Sequence, residues 1–170
     1  TTTLTQVGDL TMTPTTTNTF NVSYNLDGQT GSEPMEAFIT GCPTVNATNL
    51  DVSAHWYSPG NDGFGYSVQV RDGYEFFADF IYDGMGVPRY LLAERLAPIA
   101  AGTSVLPLDQ LTGFCPTCTY VAPTRSTVGT LTRTLATNNI TTIGSTATFN
   151  GGVPGSWNAT FPVSKLGNTQ

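Results

Sequence analysis

Five Asp-Gly or Asn-Gly pairs punctuate the chain, at Asp27-Gly28, Asp62-Gly63, Asp72-Gly73, Asp83-Gly84 and Asn150-Gly151. These dipeptides accept the positive φ angles that tight hairpins demand, so they mark chain reversals rather than helix interiors. Between them the apolar residues alternate. Phe64, Tyr66, Val68 and Val70 share one face while Gly65, Ser67 and Gln69 share the other, the period of a half-buried strand. Tyr74 to Tyr82 reads as the next strand, with Tyr74, Phe76, Ala78, Phe80 and Tyr82 on one face and Glu75, Phe77, Asp79 and Ile81 on the other. Both faces are partly apolar, as in a central strand. Val87 to Glu94 completes a meander and places Arg89 as a cross-strand partner of Asp79. Leu91 to Ala101 alone reads as a short helix. The expected fold is all-β: an antiparallel β-barrel or sandwich with an N-terminal β-hairpin segment.

Composition sets the surface. Only 11% of the 170 residues are charged, against about 25% in an average globular protein. The 30 Thr, 10 Ser and 11 Asn must therefore supply most of the water-facing layer. A net charge of -6 leaves no basic stripe to neutralise phosphates, which excludes nucleic acid as a partner and disfavours an anionic membrane surface. The longest helix-tolerant apolar stretch, Leu91 to Gly102, contains Glu94, Arg95 and Pro98 and is too short to span a bilayer, so no membrane span is expected. The opening Thr1-Thr2-Thr3-Leu4-Thr5-Gln6 has no initiator Met and no basic or apolar leader, and reads as a mature or processed chain. With the Thr-rich, Lys-poor surface this points to an extracellular or cell-surface location.

Thr is unevenly spread. None occurs from Asn49 to Gly102, a block that holds 10 of the 18 charged residues. The flanks resemble each other: Val7-Gly8-Asp9-Leu10-Thr11-Met12-Thr13 matches Val128-Gly129-Thr130-Leu131-Thr132-Arg133-Thr134 at five of seven positions. Leu26-Asp27-Gly28 then aligns with Phe149-Asn150-Gly151 after a two-residue insertion. The implied organisation is a partial repeat over residues 1–41, a linker over 42–51 and a complete β module over 52–166. A closing half unit cannot build a core alone; it must pack on the complete unit or pair its edges with a neighbouring chain.

Three cysteines, Cys42, Cys115 and Cys118, leave an odd thiol in a secreted chain. A structural disulfide within Cys115 to Cys118, or from Cys42 to either, is the plain reading. Thr119 follows the CxxC, so haem attachment is excluded, and a zinc site would have to recruit His55, the one histidine. No cofactor or metal is expected. Nucleophilic catalysis would rest on His55 without a G-x-S-x-G elbow, and glycoside hydrolysis would rest on Asp62, Glu75 and Asp79, each of which has a turn or ladder role to fill. The chain is read as a non-enzyme. A stacking surface for a sugar is assigned to Trp56, Tyr57, Tyr66, Tyr82 and Tyr90 with Asp62, and Tyr74 and Trp157 are further aromatics. The competing reading makes most of these rings core residues of the barrel.

The stretch Trp56-Tyr57-Ser58-Pro59-Gly60-Asn61-Asp62-Gly63-Phe64-Gly65-Tyr66, with Tyr82-Asp83-Gly84-Met85-Gly86-Val87-Pro88 beyond it, resembles tandem-repeat β modules of secreted and surface proteins of Gram-negative bacteria. Those modules open with W-[YF]-x-P-x-x-[DS]-G-x-G-[FY], continue through Y-D-x-x-G-x-P and close with an Asn-Gly or Asp-Gly hairpin. The resemblance implies tandem units and names no reaction or ligand. The leading functional expectation is a non-catalytic structural protein that self-associates by strand pairing into a filament or surface assembly. The alternative is a glycan-binding accessory module of a secreted hydrolase.

Overall fold

The computed structural model describes residues 5–38, 44–45, 48–49, 52–71, 73–96, 101–113, 119–136, 139–150 and 155–166. They form two compact units, and all regular structure among them is β. Cys42, Cys115 and Cys118 lie outside the described residues.

The first unit is a three-stranded antiparallel sheet, β1 (Gly8–Pro14), β2 (Thr19–Leu26) and β3 (Gln29–Glu36), in that order. Asp27 and Gly28 make the β2–β3 turn with φ of 49° and 80°, the two positive angles a type I′ hairpin requires. Period two sorts the side chains. Leu10, Met12, Val22, Tyr24 and Leu26 share one face, while Asp9, Thr11, Asn21, Ser23 and Asn25 share the other. The Tyr24 ring lies over Gly31 on β3, where a Cβ would collide with it.

The second unit holds a short pair, β4 (Thr44–Val45) with β5 (Thr48–Asn49), inside the stretch expected to be a linker. Its main body runs through β6 (Ala54–Tyr57), β7 (Gly65–Arg71), β8 (Tyr74–Tyr82), β9 (Pro88–Leu96), β10 (Gly102–Thr112), β11 (Thr124–Ala136), β12 (Asn139–Thr148), β13 (Ser156–Pro162) and β14 (Ser164–Lys165). Each strand pairs with its predecessor in an antiparallel meander from β6 to β13, and β14 returns to pair with β6. Only Val163 separates β13, on one edge of the sheet, from β14, on the other. The sheet must therefore curl until its edges meet. The result is a nearly closed up-and-down barrel of eight staves, the last shared by β13 and β14. At that size side chains just fill the interior, and Trp56, Phe77, Leu91, Leu106, Leu131 and Ile143 are fully buried in it. Two seams are short, each with two ladder pairs: β9–β10, through Asp109↔Leu92 and Gln110↔Leu91, and β6–β14, through Trp56↔Lys165 and Tyr57↔Ser164.

Three expectations are corrected. Leu91 to Leu96 belongs to β9 and β10 begins at Gly102, so among the described residues of that stretch no helix forms. Leu91 and Ala93 point inward opposite Asp79 and Phe77, and the ladder with β8 satisfies a backbone that an isolated turn or two of helix could not hold. Arg89 faces Ile81 in the ladder and pairs with Asp83, not Asp79. The third concerns the repeat alignment. The β1–β2 register runs from Gly8↔Leu26 to Thr13↔Asn21, and the β11–β12 register runs from Gly129↔Ala147 to Thr134↔Thr142, six consecutive pairs in step. Leu26 thus corresponds to Ala147, and the extra residues fall in the turn that follows. Gly8 and Gly129 share an environment as well: a Cβ on either would overlap the carbonyl oxygen of Asn25 or Thr146 across the ladder.

Candidate functional site

Strand β8 sets the chemistry of the barrel interior. Its inward face carries Glu75, Phe77, Asp79 and Ile81, and its more aromatic face, with Tyr74, Phe76, Phe80 and Tyr82, is turned outward. Glu75 is tolerated inside because two cations meet it. Arg133 on β11 donates from Nε and Nη2 to its two oxygens at 3.1 and 3.2 Å, and Arg95 on β9 forms a second ion pair. Arg133 also donates to the Gly102 carbonyl at 3.0 Å, so the cluster braces the splayed end of the β9–β10 seam.

Asp79 has no such support. It is 0% exposed, and among the described residues neither carboxylate oxygen has a hydrogen-bond partner. Tyr66 stands opposite it on β7, and its hydroxyl is likewise buried without a partner. Ser145 on β12 lies nearby and accepts a hydrogen bond from Trp157 Nε1 at 2.9 Å, which leaves its hydroxyl proton directed elsewhere. Burial pushes the Asp79 carboxyl up to about 7, with the Ser145 hydroxyl offsetting part of the shift. Burial, and the Asp79 charge after it, pushes the Tyr66 phenol up as well. Asp79 is therefore largely protonated in mildly acidic solution, which removes an otherwise unpaired interior charge.

The motif from Trp56 to Tyr66 is explained by the β6–β7 hairpin. Trp56 is 1% exposed and its Nε1 donates to the Val52 carbonyl at 3.0 Å. Asn61 closes the turn onto Ser58 through both its backbone N (3.0 Å) and its side chain (3.1 Å). A Cβ at Gly65 would come within 2.7 Å of the Trp56 carbonyl oxygen, so the crossing needs glycine. Tyr66, also 1% exposed, completes the inward face.

The proposed stacking residues thus separate. Trp56 and Tyr66 are interior and present no ring to solvent, which removes them from any surface site. Tyr57 is half-buried and Asp62 lies in the exposed turn after β6. Tyr82 and Tyr90 stay on the surface, 43% and 57% exposed, and line a shallow cavity of about 240 Å³ with Gly63, Phe80, Pro88 and Arg89. Ladder pairing creates it, because Tyr82↔Pro88 and Phe80↔Tyr90 are direct cross-strand neighbours on the outer face. Phe80 was not among the residues assigned to the stacking surface from sequence. Below the cavity the turn is rigid. Asp83 Oδ1 accepts from the Met85 and Val87 amides at 2.9 and 3.0 Å, and Oδ2 takes Arg89 at 2.9 Å. The Val87 amide first, with Arg89 and the Met85 amide, holds the Asp83 carboxyl below the ordinary range against the opposing effect of burial.

Farther along the outer face, Tyr74, Glu94, Arg125 and Asp109 lace β8 to β11, and Thr127 donates to Asp109 at 2.6 Å. The Tyr74 hydrogen bond, then Arg125, keeps Glu94 ionised below its ordinary range, while burial and Glu94 push Tyr74 up to about 12. Asp62, Glu75 and Asp79, the carboxylates considered for hydrolysis, do not share an exposed cleft: the last two are interior and Asp62 is in a surface turn. Among the described residues no group of three His, Cys, Asp or Glu is placed to hold a metal, and no helix is long and apolar enough to cross a membrane.

The first unit carries an exposed apolar face of its own. Leu131 is 0% exposed in the barrel, but its register counterpart Leu10 is 59% exposed; Met12, the counterpart of Arg133, is 57% exposed. Leu26 and Met35 are exposed on the same face. The face that β11 and β12 bury is thus open in β1 and β2. No family model, no curated protein and no solved structure matches the chain.

Proposed function

We propose that this chain is a non-catalytic structural protein that self-associates through its first unit into an extracellular filament or surface assembly. The observation that carries the reading is the shared register of β1–β2 and β11–β12 combined with the exposure of the face that the barrel buries. A three-stranded sheet with an apolar face open to water gains stability by covering it. The edges add a second route. Among the described residues β1 and β3 each have one unpaired side, and neither edge strand carries a Lys. Strands of this kind accept a neighbour's strand, and repeated addition grows an open assembly. The Thr-rich, Lys-poor surface supports an extracellular setting. Light scattering and negative-stain electron microscopy test the reading: assembly that rises with concentration is expected, and a strict monomer at high concentration would contradict it.

A second reading is favoured by the cavity at Tyr82 and Tyr90. Its volume suits a single sugar ring, and exposed tyrosines stack on the apolar face of a pyranose. A glycan array followed by titration of Tyr82→Ala and Tyr90→Ala tests it. Binding lost in both variants is expected, and an array without hits would remove it.

A further inference from the structure

We propose that two copies of the chain pair through the apolar faces of their β1–β3 sheets, stacked face to face about a two-fold axis. This rests on the self-association reading and names the surface and partner involved. The strands β6 to β10 of each copy are already closed by β11 to β14, so a second copy offers β1–β3 no open half-barrel to complete.

Charge argues against exchange into a neighbour's barrel. Met12 holds the register position of Arg133, one of the two cations on buried Glu75. Glu33, opposite Val22, holds the position of Phe161, which lies opposite Ile143 and packs 5.1 Å from Phe64. Exchange would withdraw a cation from Glu75 and set a carboxylate among aromatic rings, both costly in a dry interior.

What a second copy does offer is the same flat apolar face. Two such sheets pack aligned, about 10 Å apart. With the axis parallel to β2, β1 of one copy lies over β3 of the other. Glu33, the one charged residue on the face, then stands over the partner's β1 and away from its own counterpart. Three strands about 4.8 Å apart and seven residues long present a face of about 350 Å², and stacking two covers about 700 Å², the size of a weak, transient contact rather than a standard interface. The pairing is therefore concentration-dependent and reversible, a building block that edge pairing can extend.

Sedimentation velocity of the full chain tests this with three variants. Leu10→Lys with Met12→Lys alters the apolar face; both residues are more than half exposed, so the barrel's thermal unfolding should not change. Thr11→Lys with Ser23→Lys alters the opposite face, and Tyr82→Ser with Tyr90→Ser alters the outer cavity. The first is expected to weaken association by about a hundredfold or more, and the other two to leave it as in the wild type. Association retained in the first variant overturns the face-to-face contact while self-association stands. Loss in the cavity variant transfers the contact to the barrel and overturns it too. A wild-type chain that stays monomeric overturns both this inference and the reading beneath it.

Discussion

Replacing Asp79 with Asn should stabilise the barrel at neutral and alkaline pH. Asp79 is 0% exposed with two unpartnered oxygens, and its carboxyl is raised from 3.8 to about 7. A group whose folded-state value lies above its unfolded value stabilises fully at low pH, and that stability is lost as pH rises through the folded value. From about pH 4 to about pH 7 the unfolded chain has released the proton and the folded chain has not. Stability therefore falls by about 1.4 kcal/mol per pH unit in that window and levels off above it. The accumulated loss is about 4 kcal/mol, large beside the 5–15 kcal/mol typical of a whole domain. Asn keeps the shape and cannot ionise. Urea unfolding at half-unit steps from pH 4.5 to 8.5 should show the wild type losing stability and Asp79→Asn staying flat, with the variant ahead by about 2 to 4 kcal/mol at pH 8. Asp83 and Glu94 do not blur this, because both are shifted downward and lose their contribution only as pH falls through their folded values. Wild-type stability that is level or rising from pH 5 to 8, or a variant weaker than wild type at pH 8, would refute the reasoning.

The other buried carboxylate behaves in the opposite sense. Glu75→Gln should cost about 3 to 5 kcal/mol, because it leaves Arg133 buried without its counter-charge, whereas Arg133→Met should cost less because Arg95 still neutralises Glu75; chemical denaturation of the pair of variants orders them. Gly129→Ala should destabilise the barrel by about 2 kcal/mol or more, since the new methyl overlaps the Thr146 carbonyl and the β11–β12 ladder must yield; a variant melting like wild type would contradict the close approach. Asp83→Ala should free the Met85 and Val87 amides, read as faster hydrogen exchange at those two positions with little change in strands β10 to β13.

Period two made β7, β8 and β9 legible because their side chains alternate without interruption, and the Asp-Gly pairs gave the reversals between them. The orientation of β8 was not legible. Pattern alone leaves both faces partly apolar, and the face with Glu75 points inward with Arg133 coming from a strand 58 residues away to meet that carboxylate. Long-range charge pairing leaves no local trace. The same reason hid the outer cavity, whose Phe80 is exposed only because its strand is turned that way, and misplaced Arg89, since Asp83 takes it through a turn geometry that counting along strands ignores. Leu91 to Ala101 was misread as helical because a Leu-rich run gives no period of its own when one strand ends in it and another follows. The Trp56 and Tyr66 rings were read as a surface where the hairpin needed them as core.

The most direct measurement is the molar mass of the wild-type chain by sedimentation equilibrium across a wide concentration range. The monomer is 18.0 kDa. If the open β1–β3 face defines what this protein does, the mass rises with concentration through twice that value and returns on dilution. A mass fixed at the monomer value throughout would contradict the account.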